Sequence, residues 1–265
     1  MKENMNTLIN AKYGSMICNK FDKYVGQALI KYGEYSDDEI ILFKSLCQKG
    51  DTVIEVGSNY GSHTLPLSKI VGENGTVIAF EPQRIVFQTL CANISLNSLT
   101  NVFCFQKAVS NKKSKLFLPS TNYAQEGNFG GISMQKEGSE EVEVVKLDKF
   151  LNLDSLKFLK VDAEGMEIEV LKGAKKIIKS FFPFLFIEND RFDKHNSLVT
   201  YIDALGYDMY WYITPLYNKN NFLENEENIY GNLVSSNMLC VPKKLNMPLD
   251  NFDKVNIKEK HPYDM

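Results

Sequence analysis

Asp51-Thr-Val-Ile-Glu-Val-Gly-Ser-Asn-Tyr-Gly61, a mostly apolar stretch to Ile70, and then Thr76-Val-Ile-Ala-Phe-Glu-Pro82 decide the fold. The first run is short and β-branched, and it meets a turn bounded by Gly57 and Gly61 before helical spacing begins. Thr76 to Phe80 is a second short apolar strand. Two such strands joined by a helix form a βαβ unit. Before it, Ser36-Asp-Asp-Glu39 has capping-box spacing ahead of Ile40, Phe43, Leu46 and Cys47, with Gly50 beyond, and predicts a helix over 37–48.

After it, the spacing of Val86, Phe87, Leu90, Cys91 and Ile94 predicts a helix with Pro82 in its first turn, and Val102 to Phe105 a third strand. Residues 107–150 break the alternation. Leu116–Leu118 and Val142–Leu147 read as an antiparallel hairpin around a mobile, Gly-rich stretch, Gly127 to Gly131. The pattern resumes with a strand at Leu156–Val161, one helix through Val170, Leu171, Ala174, Ile177 and Ile178, and a strand at Phe184–Ile187. A helix near 196–205 and strands near 207–213 and 235–241 complete it. The expected fold is α/β: an open, mostly parallel sheet with helices on both faces and a hairpin inserted between strands 3 and 4. Residues 1–35 read as an appendage to the cleft, 36–242 as the main domain and 243–265 as a loosely packed polar tail. Thr214 to Asn232, with six Asn, reads as an exposed excursion.

The chain has 265 residues, 44 % hydrophobic, with 30 Lys plus Arg against 33 Asp plus Glu and a net charge of −3. That balance disfavours a nucleic-acid binder, which is held first through excess positive charge. The five cysteines are scattered, with no Cys-x-x-Cys pair, and point to a reducing compartment. No signal-like start and no long uncharged apolar run is present, so a cytoplasmic protein without membrane insertion is expected. Oligomeric state is not legible.

Ligands of such sheets bind at the carboxyl ends of the strands, where strand order reverses. Glu55-Val-Gly57-Ser-Asn59-Tyr-Gly61 lacks the middle glycine of a dinucleotide fingerprint, and its carboxylate would repel a pyrophosphate. It suits a ligand with an ammonium group. Glu81 ends the next strand, where a carboxylate can accept both hydroxyls of a ribose. Together they favour S-adenosylmethionine over NAD. Asp162 and Glu164, at the end of the fourth predicted strand, face the same cleft, and Glu188, Asn189 and Asp190 close the next. These acids could hold a divalent cation or sugar hydroxyls, but no spacing signature supports a metal, and none is assigned. Tyr35, Tyr60, Tyr123 and Phe129 could stack on a sugar ring, and His63 and His195 are the histidines nearest the strand ends.

These residues give the chain a resemblance to the FkbM family of S-adenosylmethionine-dependent methyltransferases, with the class I (Rossmann-like) fold. It runs from about Phe21 to Pro242. It rests on Tyr32-Gly-Glu-Tyr35, Val53 to Gly61, Phe80-Glu-Pro82, Lys107-Ala-Val-Ser110 and above all Leu159-Lys-Val-Asp-Ala-Glu-Gly-Met-Glu-Ile-Glu-Val-Leu-Lys-Gly-Ala174. Departures are Glu55 for the usual Asp, Ser58 for the usual Ala, and Pro66 interrupting the helix after the loop. The resemblance implies methyl transfer to a hydroxyl of a sugar, glycan or secondary metabolite. Carried across by position, Glu55, Gly57, Asn59 and Gly61 hold the methionine part of the cofactor, Glu81 the ribose, and Ala108 borders the adenine. Asp162 would also touch the cofactor. Asp162 or Glu164 would take the acceptor proton, with Tyr35, Glu188 and Asn189 around the acceptor. An NAD-dependent oxidoreductase and a non-catalytic cofactor-binding scaffold are the alternatives.

Overall fold

The computed structural model describes residues 4–257 and 259–263. The first three residues of the expected appendage, and Lys258, Asp264 and Met265 of the expected tail, lie outside them. In chain order the elements are β1 (Asn6–Ala11), β2 (Gly14–Asn19), α1 (Val25–Tyr32), α2 (Asp37–Leu46), β3 (Thr52–Val56), α3 (Thr64–Val71), β4 (Thr76–Phe80), α4 (Arg84–Leu96) and β5 (Val102–Phe105). There follow β6 (Ala108–Val109), β7 (Ser114–Leu118), β8 (Glu140–Val145), α5 (Leu147–Phe150), β9 (Phe158–Val161), α6 (Glu167–Gly173), α7 (Lys175–Phe181), β10 (Phe184–Glu188), α8 (Phe192–Ala204), β11 (Tyr207–Pro215) and β12 (Val234–Pro242). The main sheet has the order β11-β12-β10-β9-β3-β4-β5, and only β12 runs against its neighbours. Strand order reverses beside β3, so the carboxyl ends of β3 and β9 border the ligand crevice of an open α/β sheet.

Alternation along each strand sorts its side chains. Ile54, Ile78, Leu159 and Leu185 pack under α6, α7 and α8, while Val53, Val77, Phe158 and Phe186 pack under α2 and α3. Both faces are covered, which is why the strands are near-continuous apolar runs. The same alternation turns Glu55 and Lys160 toward α2 and α3, and the two are register partners across β3 and β9. The expected hairpin is present as β7 paired with β8, and β6 adds a short parallel edge. No helix among the described residues is long and apolar enough to cross a membrane.

Several expectations are corrected. Ser36 adopts a left-handed backbone (φ 48°) and caps nothing with its side chain; Glu39 turns inward instead of closing a capping box. Pro82 precedes α4 rather than entering its first turn, and Pro66 falls in the first turn of α3, where its missing N–H costs nothing. The single helix predicted through Ile178 is two, broken at Ala174. Gly173 presses on the neighbouring backbone there: a Cβ would sit 2.2 Å from the Ser110 carbonyl oxygen. The helix expected near 196–205 begins at Phe192.

The appendage holds the β1–β2 hairpin and α1, none of which the sequence reading identified. The tail does not pack loosely: Val255 and His261 are buried, the Val255 N–H donates to the Met209 carbonyl, and the Trp211 N–H donates to the Asp253 carbonyl. It thereby covers the outer edge of β11, whose backbone groups would otherwise lie unpaired. The excursion also closes on the body. Asn218 donates to Glu34 at 2.7 Å, Asn221 bridges two carbonyls of its own loop, and Tyr230 is buried, its hydroxyl donating to the Tyr24 carbonyl.

Candidate active site

A polar chamber of about 340 Å³ opens at the carboxyl ends of β3, β4, β9 and β10. A narrow slot of about 50 Å³ adjoins it, lined by Phe80, Ala108, Val109, Ile132 and Met134. Gly57, Glu81, Gly130, Asp162 and Glu164 border both. The glycine loop is tied down at its start, where the Gly57 and Ser58 N–H groups both donate to the Phe80 carbonyl at 2.9 and 3.0 Å. Gly57 has φ 86°, and a Cβ on it would sit 1.9 Å from the Asp162 carbonyl oxygen, so only glycine fits. Asn59 is also left-handed (φ 48°), and its N–H donates to Glu81 Oε2 at 2.9 Å while the Gln83 N–H donates to Oε1 at 2.9 Å. Each carboxylate oxygen keeps a lone pair for a further donor.

Lys160 is the one charged side chain of β9 and is 3 % exposed. Its Nζ lies 3.0 Å from Asp162 Oδ2. Burial works against its charge, yet Asp162, Glu55 and Glu39 together outweigh burial and hold the ammonium above its ordinary pKa. Behind the loop, Glu55 is fully buried and accepts the Thr64 hydroxyl at 2.6 Å; its Oε1 has no hydrogen-bond partner.

On the chamber's far wall the carboxylates of Asp162, Glu164 and Glu188 approach within 4.8 Å of one another. Glu164 is held in a left-handed conformation (φ 51°) ahead of Gly165, a strained placement that aims its carboxylate at the cleft and at Arg191, 2.5 Å away. Burial, with Asp162 adding repulsion, pushes Glu164 up to about 8 despite Arg191. Glu188 is raised well above its usual range by burial and then by Asp162 and Glu164, and its Oε2 is buried without a partner.

Burial also pushes Glu39, Glu55 and Glu81 up to about 7. Each of these carboxyls binds its proton more tightly in the folded chain than in the unfolded one. The stability they contribute is full below their ordinary value of 4.5 and is lost as pH rises through 7 to 8. The melting midpoint of the ligand-free protein should therefore fall between about pH 5 and pH 8. A midpoint that climbs across that window contradicts these environments.

Of the residues singled out from sequence, Gly57, Asn59, Glu81, Asp162, Glu164, Glu188, Asp190, Tyr35 and His63 line the chamber, and Ala108 lines the slot. Other candidates are placed differently. Glu55 does not line the cleft and supports it from behind, through Thr64. Asn189 is 2 % exposed, with its amide on His195 Nδ1 (2.8 Å) and on the Met238 sulfur, so it is committed to packing rather than to an acceptor. Tyr60 is buried in the apolar cluster with Met16 and Leu65. Tyr123 and Phe129 pack on each other with tilted rings, centroids 4.9 Å apart, and Gln83 joins them, donating to the Phe129 carbonyl and accepting the Tyr123 hydroxyl. They pin the Gly-rich stretch, which forms cleft wall through Asn128, Gly130 and Gly131.

Gly61 does not line the cleft; a Cβ there would meet Leu90 at 2.8 Å, which makes it a packing position. Sequence reasoning missed Lys160, Arg191, Glu39, Ser235 and Ser236. A lysine inside an otherwise apolar strand, Phe158 to Val161, was the available signal.

The Methyltransferase FkbM domain family matches residues 55–209. Among curated proteins, Methyltransferase 1 of Beauveria bassiana is 30 % identical over 143 residues, covering 46 % of this chain and 57 % of that protein. The hexuronic acid methyltransferase AglP of Haloferax volcanii is 27 % identical over 146 residues, covering 54 % of this chain and 58 % of its own. The chain thus spans little more than half the length of these curated relatives. Among solved structures, methyltransferase FkbM from Methylobacillus flagellatus superposes with a TM-score of 0.51 at 16 % identity, covering 74 % of this chain and 47 % of that one, which shows the fold. The family match takes in over half of the chain, including the glycine loop, Glu81 and the Leu159–Ala174 segment: the protein belongs to the FkbM methyltransferase domain family.

Proposed function

We propose that the protein is an S-adenosylmethionine-dependent methyltransferase acting on a hydroxyl of a sugar, glycan or secondary metabolite. The observation that carries this reading is the two-lobed cleft with Glu81 on the border of both lobes. The apolar slot suits a flat base, Glu81 retains lone pairs for a ribose diol, and the polar chamber takes an amino-acid end. The chamber also presents Asp162, Glu164 and Glu188. A cationic ligand there would let the raised carboxyls of Glu164 and Glu188 ionise, which a pyrophosphate would oppose, and this favours the sulfonium cofactor over NAD. Gly57, Asn59, Glu81, Ala108 and Asp162 would hold it, and it would supply an electrophilic methyl group.

The protein's part is then to place an acceptor oxygen in line with that methyl group, a positioning effect worth up to roughly 7–11 kcal/mol. Asp162 and Glu164 hydrogen-bond the acceptor's neighbouring hydroxyls, and Tyr35 and Glu188 border the acceptor's remaining body. The name of the Haloferax volcanii relative makes sugars the first acceptors to try. Methyl glycosides of hexoses, hexosamines and hexuronic acids, offered with radiolabelled S-adenosylmethionine, should include at least one that gains label. Asp162→Asn should lower turnover about 10²-fold by loosening the acceptor, with S-adenosylhomocysteine still bound. Full turnover in both Asp162→Asn and Glu164→Gln removes these acids from the reaction.

A further inference from the structure

We propose that His63, oriented by Glu39, takes the proton of the acceptor hydroxyl; the inference rests on the methyl-transfer reading and adds to it the group that receives the proton. Glu39, His63 and the residues that fix them come from separate elements. Glu39 on α2 is 3 % exposed, and its Oε1 accepts from the Ser235 hydroxyl at 2.9 Å and from the Asn237 amide at 3.0 Å, both on β12. Its other oxygen stands 3.4 Å from His63 Nε2. His63 directly precedes α3 and lines the cleft. Its ring is wedged edge-on against Phe43, centroids 5.5 Å apart, and lies 6.1 Å from the ring of Tyr35. A carboxylate anchored at one oxygen and aimed at one nitrogen of a clamped imidazole is how a general base is oriented, and it leaves Nδ1 for the ligand. The Nε2 contact is not aligned as a hydrogen bond. Such contacts tighten when substrate closes the site.

The charged and titratable groups around the ring are Glu39 from α2, Lys160 from β9 with Asp162 beyond it, Tyr35 from the segment before α2, and Glu55 from β3, itself tied to Thr64. Burial first, and Lys160 second, hold the imidazole well below its usual pKa of 6.5, so at neutral pH it is unprotonated and able to accept. The two carboxylates across the chamber are less suited. Asp162 is paired with Lys160, and Glu164 is paired with Arg191 and pushed up to about 8. In the transfer the acceptor O–H bond breaks and its proton goes to Nδ1. The oxygen's electron pair forms the bond to the methyl group, and the donor sulfur keeps the pair of the broken bond. The positive charge that leaves sulfur reappears on the imidazole, beside Glu39.

The test uses the full chain saturated with S-adenosylhomocysteine and has two readouts. Nitrogen-15 NMR of the imidazoles should show His63 neutral at pH 7 as the Nε2–H tautomer, and Glu39→Gln should change its tautomer or its titration. A protonated ring at pH 7, an Nδ1–H tautomer, or a His63 signal indifferent to Glu39→Gln overturns the proposal, whether or not any acceptor turns over. On the glycoside that the wild type methylates, kcat should climb only until Glu39 ionises near pH 7 and be level above it. His63→Gln should lower it about 10²–10⁴-fold and leave a rate that climbs tenfold per pH unit, with S-adenosylhomocysteine affinity within twofold. A wild-type rate that climbs through about pH 8, with His63→Gln at full kcat, assigns the proton to Glu164 and overturns the role of His63. If no glycoside is methylated, the acceptor class is wrong, and the imidazole spectrum still decides whether the dyad exists.

Discussion

Gly57→Ala is expected to abolish S-adenosylhomocysteine binding and to destabilise the fold by about 2–5 kcal/mol, summing left-handed strain and overpacking. Its Cβ would meet the Asp162 carbonyl oxygen at 1.9 Å and the carbonyl carbon at 3.0 Å, and both are backbone. That backbone cannot yield, because the Asp162 N–H donates to Val56 in the β3–β9 ladder and the Gly57 N–H is held by Phe80. Relief would part the carboxyl ends of two central strands, where the cleft begins. Gly206→Ala is the control: it carries the same left-handed backbone (φ 92°) with nothing within 4 Å of its Cβ. It should lose only about 1–2 kcal/mol and bind normally. Urea unfolding and calorimetric titration of both variants measure this, and equal behaviour of the two refutes the close-approach argument.

Lys160→Met should cost about 3–5 kcal/mol, the usual penalty for leaving buried charge without its partner. The substitution nearly keeps the volume and removes the ammonium on which Asp162, Glu55 and Glu39 converge. Without it Glu55 and Glu39 become harder to ionise and bind their protons more tightly in the folded state. The added instability therefore grows as pH rises and shrinks as those groups become protonated. Denaturant midpoints should show a larger deficit at pH 8 than at pH 5.5. An equal deficit at both would mean that Lys160 serves by packing its stem and not by its charge.

The sheet was legible because its strands are short β-branched runs ending on glycines or acids, and Thr76–Phe80 stands where its pattern placed it. Cleft residues that sit at strand ends, such as Gly57, Glu81, Asp162 and Glu188, were legible for the same reason: topology alone carries them there. What escaped depends on contacts far apart in sequence. Glu39 fits a capping box by spacing, yet Ser235 and Asn237, nearly 200 residues away, draw it inward. Asn189 has the position of an acceptor ligand, and His195 claims its amide. The β1–β2 hairpin was hidden because its first strand is largely exposed or half-buried and lacks a continuous apolar run. Lys160 was read as an ordinary residue of a strand motif, although a lysine with apolar neighbours on both sides requires a buried counter-charge.

The most direct measurement is a thermal melt with S-adenosylhomocysteine and, separately, with NAD, each at high concentration. A ligand at 100 times its Kd adds about 2.7 kcal/mol, on the order of 5–10 °C for a chain of this size. A rise with S-adenosylhomocysteine alone, lost in Glu81→Ala, is the predicted result. A rise with NAD alone would contradict the account, and so would the absence of a rise with either.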